Sequence, residues 1–362
     1  MEKELLNAGA AAPQYKRNGE RKQYFDLLRI VASFAVVVLH VAANGWSAAD
    51  VHSPAWNAMN LYDSIVRWGV PVFFMISGAL FLKADKPISK MYSKYILRLV
   101  IAYLIWSLLY ALIKFKPGNS IFSLLKNVYV GKYHMWFIPT LIGLYMITPL
   151  LRPIVAKPGG AAYFLVLSFI FGILLPQIAS TAELFSESLG KHLATGVNKF
   201  RMSFVLGYSF YFVLGYYLDN IVLGKKLRTC LFILGPLGFI FTIAATFAVS
   251  RMKGEANELF YNYLTVNVML ETVFVFIMFK SAFERRELGA KASSAASNLS
   301  KWSFGVYLLH PLIIIVLRKV GFYTDSFSHF VSIPVMSIIV YTVSMLISAI
   351  LNKMPIVNKY VV

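Results

Sequence analysis

Cysteine and acidic residues are both scarce in this chain. Its 362 residues hold a single cysteine, Cys230. One thiol excludes an internal disulfide framework and a cysteine-based metal site, and the plain expectation for it is a buried thiol. The six histidines never fall at HxH or HxxxH spacing, so no metal site is expected. The sequence also lacks a phosphate-cradling glycine loop and a GxSxG elbow. Only 16 Asp and Glu stand against 35 Lys and Arg, a formal charge of +19. Such a balance invites a nucleic-acid partner, but the basic residues sit in short clusters between apolar runs. That arrangement suits topology signals and an anionic lipid surface, so membrane lipids are expected as partners and nucleic acid is not.

What the chain has in abundance is apolar sequence. Hydrophobic residues make up 58% and charged residues 14%, with a mean hydropathy of +0.66; soluble domains lie nearer about 45–50% apolar. Segments long enough to cross a bilayer fall near 24–43, 64–82, 95–114, 134–152, 161–178, 202–219, 228–249, 262–280, 302–318 and 330–351. Irregular backbone cannot face lipid, so each is expected to be helical. The predicted fold class is therefore an all-α integral membrane bundle of about ten helices. Segment four contains Pro139 and Pro149, which predict a kink or break there. The larger share of Lys and Arg falls at both termini and in alternate connections, which predicts both termini in the cytoplasm. The organisation expected is a flexible cytoplasmic tail (1–23), a membrane domain (24–352) and a short cytoplasmic tail (353–362). The first apolar run is too long for a signal-peptide core and carries ionisable groups, so no cleavage is expected.

Those ionisable groups are the first functional signal. "YFDLLRIVASFAVVVLH" spans Tyr24 to His40 and contains Asp26, Arg29, Ser33 and His40. A charge near a bilayer centre costs on the order of 2.5–3.5 kcal/mol on insertion scales. At about 100° per residue, Arg29 and His40 lie roughly 20° apart and Asp26 and His40 roughly 40° apart. Ser33 follows Arg29 by one turn. The four form one polar stripe, expected to face the bundle interior or a water-filled cavity. His40 lies about 16 Å along the axis from Arg29, which puts a cation and a titratable base on one line. The plain alternative is an internal Asp26–Arg29 salt bridge plus a His bonded to a neighbouring helix.

Other segments add candidates, each with a plainer reading beside it. Arg67 binds an anionic substrate group or a developing oxyanion, or else snorkels at the interface. Ser77 and Gly78 read as close helix packing rather than chemistry. Lys94 and Arg98, four apart on one helical face, suit phosphate binding or positive-inside anchoring. His134 and Trp136 open segment four, His134 within reach of the mouth of a cavity containing His40, Trp136 also as a belt residue. Ser303, Tyr307 and His310 share a face of segment nine, with His310 mid-membrane and ready to pair across the bundle. Glu271 is the remaining intramembrane acid, balancing a cation or lining a substrate path.

Several of these stretches resemble the membrane acyltransferase 3 family. "FDLLRIVASFAVVVLH" resembles its helix-one motif, an Arg and a His separated by ten residues; "VPVFFMISGALF" its helix-two motif; and "SFGVYLLHPL" its late Ser…Tyr-Leu-x-His motif. "YHMWFIPTLIGLYMITPLL" is similar to a subgroup that includes the enterobacterial common antigen O-acetyltransferase. The likeness covers most of residues 22–350. It implies a ten-helix O-acyltransferase of the bacterial inner or plasma membrane. Such an enzyme moves an acyl group, usually acetyl from cytosolic acetyl-CoA, to a hydroxyl of an envelope glycan or lipid-linked acceptor. On that likeness His40 matches the essential histidine, Arg29 its partner arginine, and Lys94 and Arg98 the cluster associated with the CoA phosphates. One departure stands out: many members carry Glu residues in helix four, and "WFIPTLIGLY" has none. A second functional class, a transporter or exporter with a proton relay through the intramembrane Asp, Glu and His, remains alongside, as does a scaffold role in envelope biogenesis.

Overall fold

The computed structural model describes residues 22–84, 86–200, 207–283 and 288–362. Among them the chain is helical throughout, with no strand. In order the helices are α1 (Gln23–Ala42), α2 (Pro54–Ser64), α3 (Gly69–Phe81), α4 (Leu97–Lys114), α5 (Ile121–Val130), α6 (Phe137–Ala156), α7 (Gly160–Phe169), α8 (Leu175–Glu183), α9 (Glu187–Lys199), α10 (Ser209–Asn220), α11 (Lys225–Lys253), α12 (Val266–Phe283), α13 (Ala290–Lys319), α14 (His329–Leu351) and α15 (Pro355–Tyr360). Nine stretches among the described residues are long and apolar enough to cross a membrane. The outward faces of α4 and α11 show why: Leu104, Ile105, Leu108 and Leu112, and Ile233, Leu237, Ile240 and Phe241, are exposed apolar side chains. Polar groups such as Asp26, Asn60, Asp63, Glu271 and His310 lie inside. Apolar outside and polar inside is the distribution a bilayer imposes.

Segment boundaries differ from the sequence expectation in understandable places. The second span begins at Pro54 rather than 64, because Ser53 caps α2 by accepting from the Trp56 amide and starts a helix within polar sequence. Segment four does not break. α6 runs unbroken from Phe137 to Ala156 with Pro149 and Pro153 inside it, and Pro139 lies in its first turn, where no amide donor is needed. Cys230 is exposed, not buried, because residues 224–230, which open α11, lie clear of the bundle.

The expected span at 202–219 falls partly on residues outside the described set; its described part is α10. Contacts at both ends give the helix directions. α1 and α13 run parallel, since Gln23 Nε2 donates to Ser293 Oγ at one end and His310 meets His40 at the other. α10 runs the opposite way. Tyr208, just before it, packs on Phe74 and Trp136, while Asp219 at its far end pairs with Lys22 and Tyr24 at the start of α1. Among the nine long stretches the one holding α13 is eighth. An eighth crossing runs antiparallel to the first, so α13 parallel to α1 requires one further crossing between them. α10 has the required direction.

Two glycines set the contact between α3 and α10. A Cβ on Gly78 would lie 1.7 Å from the Phe212 carbonyl oxygen, and one on Gly215 would lie 2.0 Å from that of Met75. Backbone thus packs on backbone, the small-residue contact expected of Gly78 and typical of membrane helices. Arg152 of α6 then closes the end of α3, donating to the Phe81 carbonyl at 3.1 Å and the Lys86 carbonyl at 2.8 Å. Lys280 does the same for α10, reaching the carbonyls of Leu218 and Ile221 at 2.7 Å each.

Candidate active site

A cavity of about 330 Å³ lies between α1, α3, α4, α6 and α13. The parallel pair α1 and α13 builds its long axis. Arg29, Ser33, Val36 and His40 line it from α1, and Ser300, Lys301, Ser303, Phe304 and Tyr307 from α13. The polar stripe therefore faces an interior space, as expected. Ser33 is tied down by donating to the Ile30 carbonyl at 2.8 Å. Asp26 does not line the cavity. It is buried behind Arg29, its Oδ1 3.8 Å from the guanidinium, so the expected salt bridge and a cavity-facing Arg29 occur together.

One end of the cavity is cationic. Arg29, Arg98 and Lys301 all line it, and Tyr145 stands within electrostatic reach of both arginines. Arg98 Nη2 also donates to the Val362 main-chain oxygen at 2.5 Å, which holds the last residues against α4. Lys94 is elsewhere: it is exposed, stacked over Tyr95. A six-residue π-helical turn, Met91–Ile96, precedes α4 and rotates Lys94 out of the helical phase that would align it with Arg98. Lys301 of α13 stands in its place among the lining cations.

The other end is aromatic and is lined by two imidazoles, His40 and His134, with a third, His310, packed against His40. His40 Nδ1 lies 2.8 Å from the Val36 carbonyl oxygen and 3.1 Å from His310 Nε2. His310 Nδ1 in turn lies 3.1 Å from the Val306 carbonyl. A carbonyl only accepts, so both Nδ1 atoms carry the proton, and His310 Nε2 accepts from His40. The tautomers follow from that network: His40 keeps Nε2 as a lone pair in a cavity-lining ring. His134 lines the same space, its ring centroid 5.3 Å from His310 and 6.3 Å from His40. Trp136 is no isolated belt residue; it stacks on Tyr263 at 5.7 Å and contributes to the wall. Among the described residues no group of three or more His, Cys, Asp or Glu is arranged to hold a metal ion.

Arg67 does not line this cavity, though it stands within electrostatic reach of His40 and beside the cavity-lining Tyr263. It pairs with buried Asp63 at 2.5 Å and lies 3.9 Å over the Tyr261 ring. Asp63 and Arg67 are four apart, and that spacing was the available signal. Glu271 also stands apart, fully buried, with Thr242 donating to its Oε1 at 2.5 Å. On α6 the cavity face is Phe137, Leu141 and Tyr145, without an acid.

A helical bundle whose described residues include nine membrane-length apolar stretches, with a polar internal cavity reaching from clustered cations to His40, describes a multi-pass membrane protein. Residues 22–353 match the acyltransferase 3 family model, described as an acyltransferase domain. With nearly the whole chain matched, the protein belongs to that family, and it is a membrane acyltransferase. No curated protein and no solved structure matches the chain.

Proposed function

We propose that the protein is an O-acyltransferase of the bacterial cell membrane that takes its acyl group, acetyl by preference, from cytosolic acyl-CoA. The acceptor is a hydroxyl of an envelope glycan or lipid-linked sugar. The observation that carries this reading is the single cavity joining Arg29, Arg98 and Lys301 to the lone pair of His40. Phosphates of the donor suit the cationic end, and an extended pantetheine-like arm suits the roughly 16 Å from Arg29 to His40. The likeness of the Tyr133–Leu151 stretch to the enterobacterial common antigen O-acetyltransferase subgroup supports acetyl and a glycan acceptor.

In the reaction His40 Nε2 takes the acceptor hydroxyl proton as the oxygen attacks the acyl carbonyl, general base catalysis by the neutral imidazole. The positive charge that forms on the ring is shared with Nδ1–H, which already has the Val36 carbonyl and His310 Nε2 as acceptors. His310 is thus a positioning residue. When the carbon–sulfur bond breaks, His40 returns the proton to the leaving thiolate. His40→Ala is expected to lower transfer of labelled acetyl from acetyl-CoA to envelope glycan by about 10²–10⁴-fold, with the protein still inserted. Wild-type transfer rates in that variant would exclude His40 as the base. A transporter instead predicts no acetyl-CoA binding by the purified protein.

A further inference from the structure

His134 has a secured main chain and an unsecured ring. Its carbonyl accepts from Tyr307 Oη at 2.7 Å, and a 3-10 turn, Tyr133–Trp136, sets its position at the head of α6. The side chain is only 2% exposed, yet neither ring nitrogen has a hydrogen-bond partner among the described residues. Buried polar groups are nearly always paired, and an unpaired one at a functional site calls for an explanation. The neighbours give no acceptor: Tyr110 and Tyr307 meet the ring edge-on with centroids 5.4 Å away, and His310 is spoken for by His40 and Val306. Arg67, the sequence candidate for a developing oxyanion, is paired with Asp63 and does not line the cavity, although it stands within electrostatic reach of His40.

We propose that His134, with its ring unpartnered beside the His40–His310 pair, is the oxyanion donor of the acyl transfer, its imidazole N–H aimed at the acyl carbonyl oxygen. This rests on the acyltransferase reading above. As the acceptor oxygen bonds to the carbonyl carbon, the carbonyl π pair moves onto oxygen and His40 Nε2 takes the acceptor proton. The His134 N–H then hydrogen-bonds the new oxyanion. When the tetrahedral intermediate collapses, the C=O bond reforms, the C–S bond breaks, and the thiolate takes the proton from His40. A donor left unpaired in the resting cavity costs the reaction no rearrangement and bonds the oxyanion more strongly than the carbonyl, which is the condition for lowering the barrier.

The test uses wild type, His134→Phe and His134→Gln in lipid nanodiscs with acetyl-CoA and envelope-glycan acceptor. His134→Phe is expected to lower kcat by about 10²–10³-fold, the loss typical of one oxyanion donor, with KM for acetyl-CoA changed little. His134→Gln, which keeps an N–H, is expected to fall between. Affinity for a trifluoromethyl ketone analogue of acetyl-CoA, a tetrahedral mimic, should fall in parallel with kcat. Should His134→Phe lose its folded state by thermal melting, His134→Gln carries the same comparison: parallel losses of kcat and mimic affinity support the role. An unchanged kcat, or a lower kcat with unchanged mimic affinity, overturns it. A wild-type protein that transfers no acyl group overturns the underlying reading as well, and so separates the two failures.

Discussion

Arg98 and Lys301 converge with Arg29 on one end of the cavity, though only the first and last of these three have helix-mates that a periodicity diagram would align. On the proposed function, each would take a donor phosphate. Arg98→Ala and Lys301→Ala are each expected to raise KM for acetyl-CoA roughly tenfold, the scale of one charged hydrogen bond. Acetyl-pantetheine, which lacks the nucleotide phosphates, should show little change, and high salt should narrow the difference by screening. Equal effects on both donors in steady-state kinetics would remove the phosphate role. Lys94→Ala, an exposed position, should leave both KM values near wild type. At this scale the sequence displayed the α1 stripe, because 3.6-residue periodicity makes Asp26, Arg29, Ser33 and His40 neighbours within one helix. It did not display the choice of Lys301 over Lys94, which a π-helical turn and the packing of α13 decide.

Between elements, the Gly78–Gly215 crossing of α3 and α10 packs main chain on main chain. Any side chain there meets main-chain atoms that cannot rotate away, so the helices must part. Gly78→Leu is expected to destabilise by at least the ~1–3 kcal/mol of ordinary overpacking, seen as a lower melting temperature and loss of the monodisperse peak in detergent. Gly143→Ala, where a Cβ meets nothing within 4 Å, is the matched control and should melt like wild type. The wall of the cavity depends on this crossing, since Phe73 and Ser77 reach it from α3. "SG" in an apolar run signalled close packing from the sequence. The partner helix lay 130-odd positions away, and nothing local in either segment names the other.

Across the whole molecule, the parallel run of α1 and α13 organises the site. It places the cations at one level and brings His310 beside His40, while α6 enters from the same end as the histidines and adds His134. The orientation expected from Lys and Arg placement would put the cationic end on the cytoplasmic side. A cysteine at Lys226, at the start of α11 (Lys226→Cys in a Cys230→Ser background), should react with a membrane-impermeant maleimide only after cells are opened; labelling of intact cells would invert the topology. Composition and hydrophobic periodicity by themselves determined an all-helical membrane bundle, the approximate spans, and the polar face of α1, because burial in lipid acts on each helix separately and leaves its mark within some twenty residues. Which polar residues share a cavity was decided only by tertiary structure. Arg67 turns to Asp63 and Lys94 turns outward, while His40, His134 and His310 meet from three helices. Those choices depend on helix rotation, crossing and register between segments far apart in the chain, quantities set by side-chain packing between helices rather than by the pattern within any one of them.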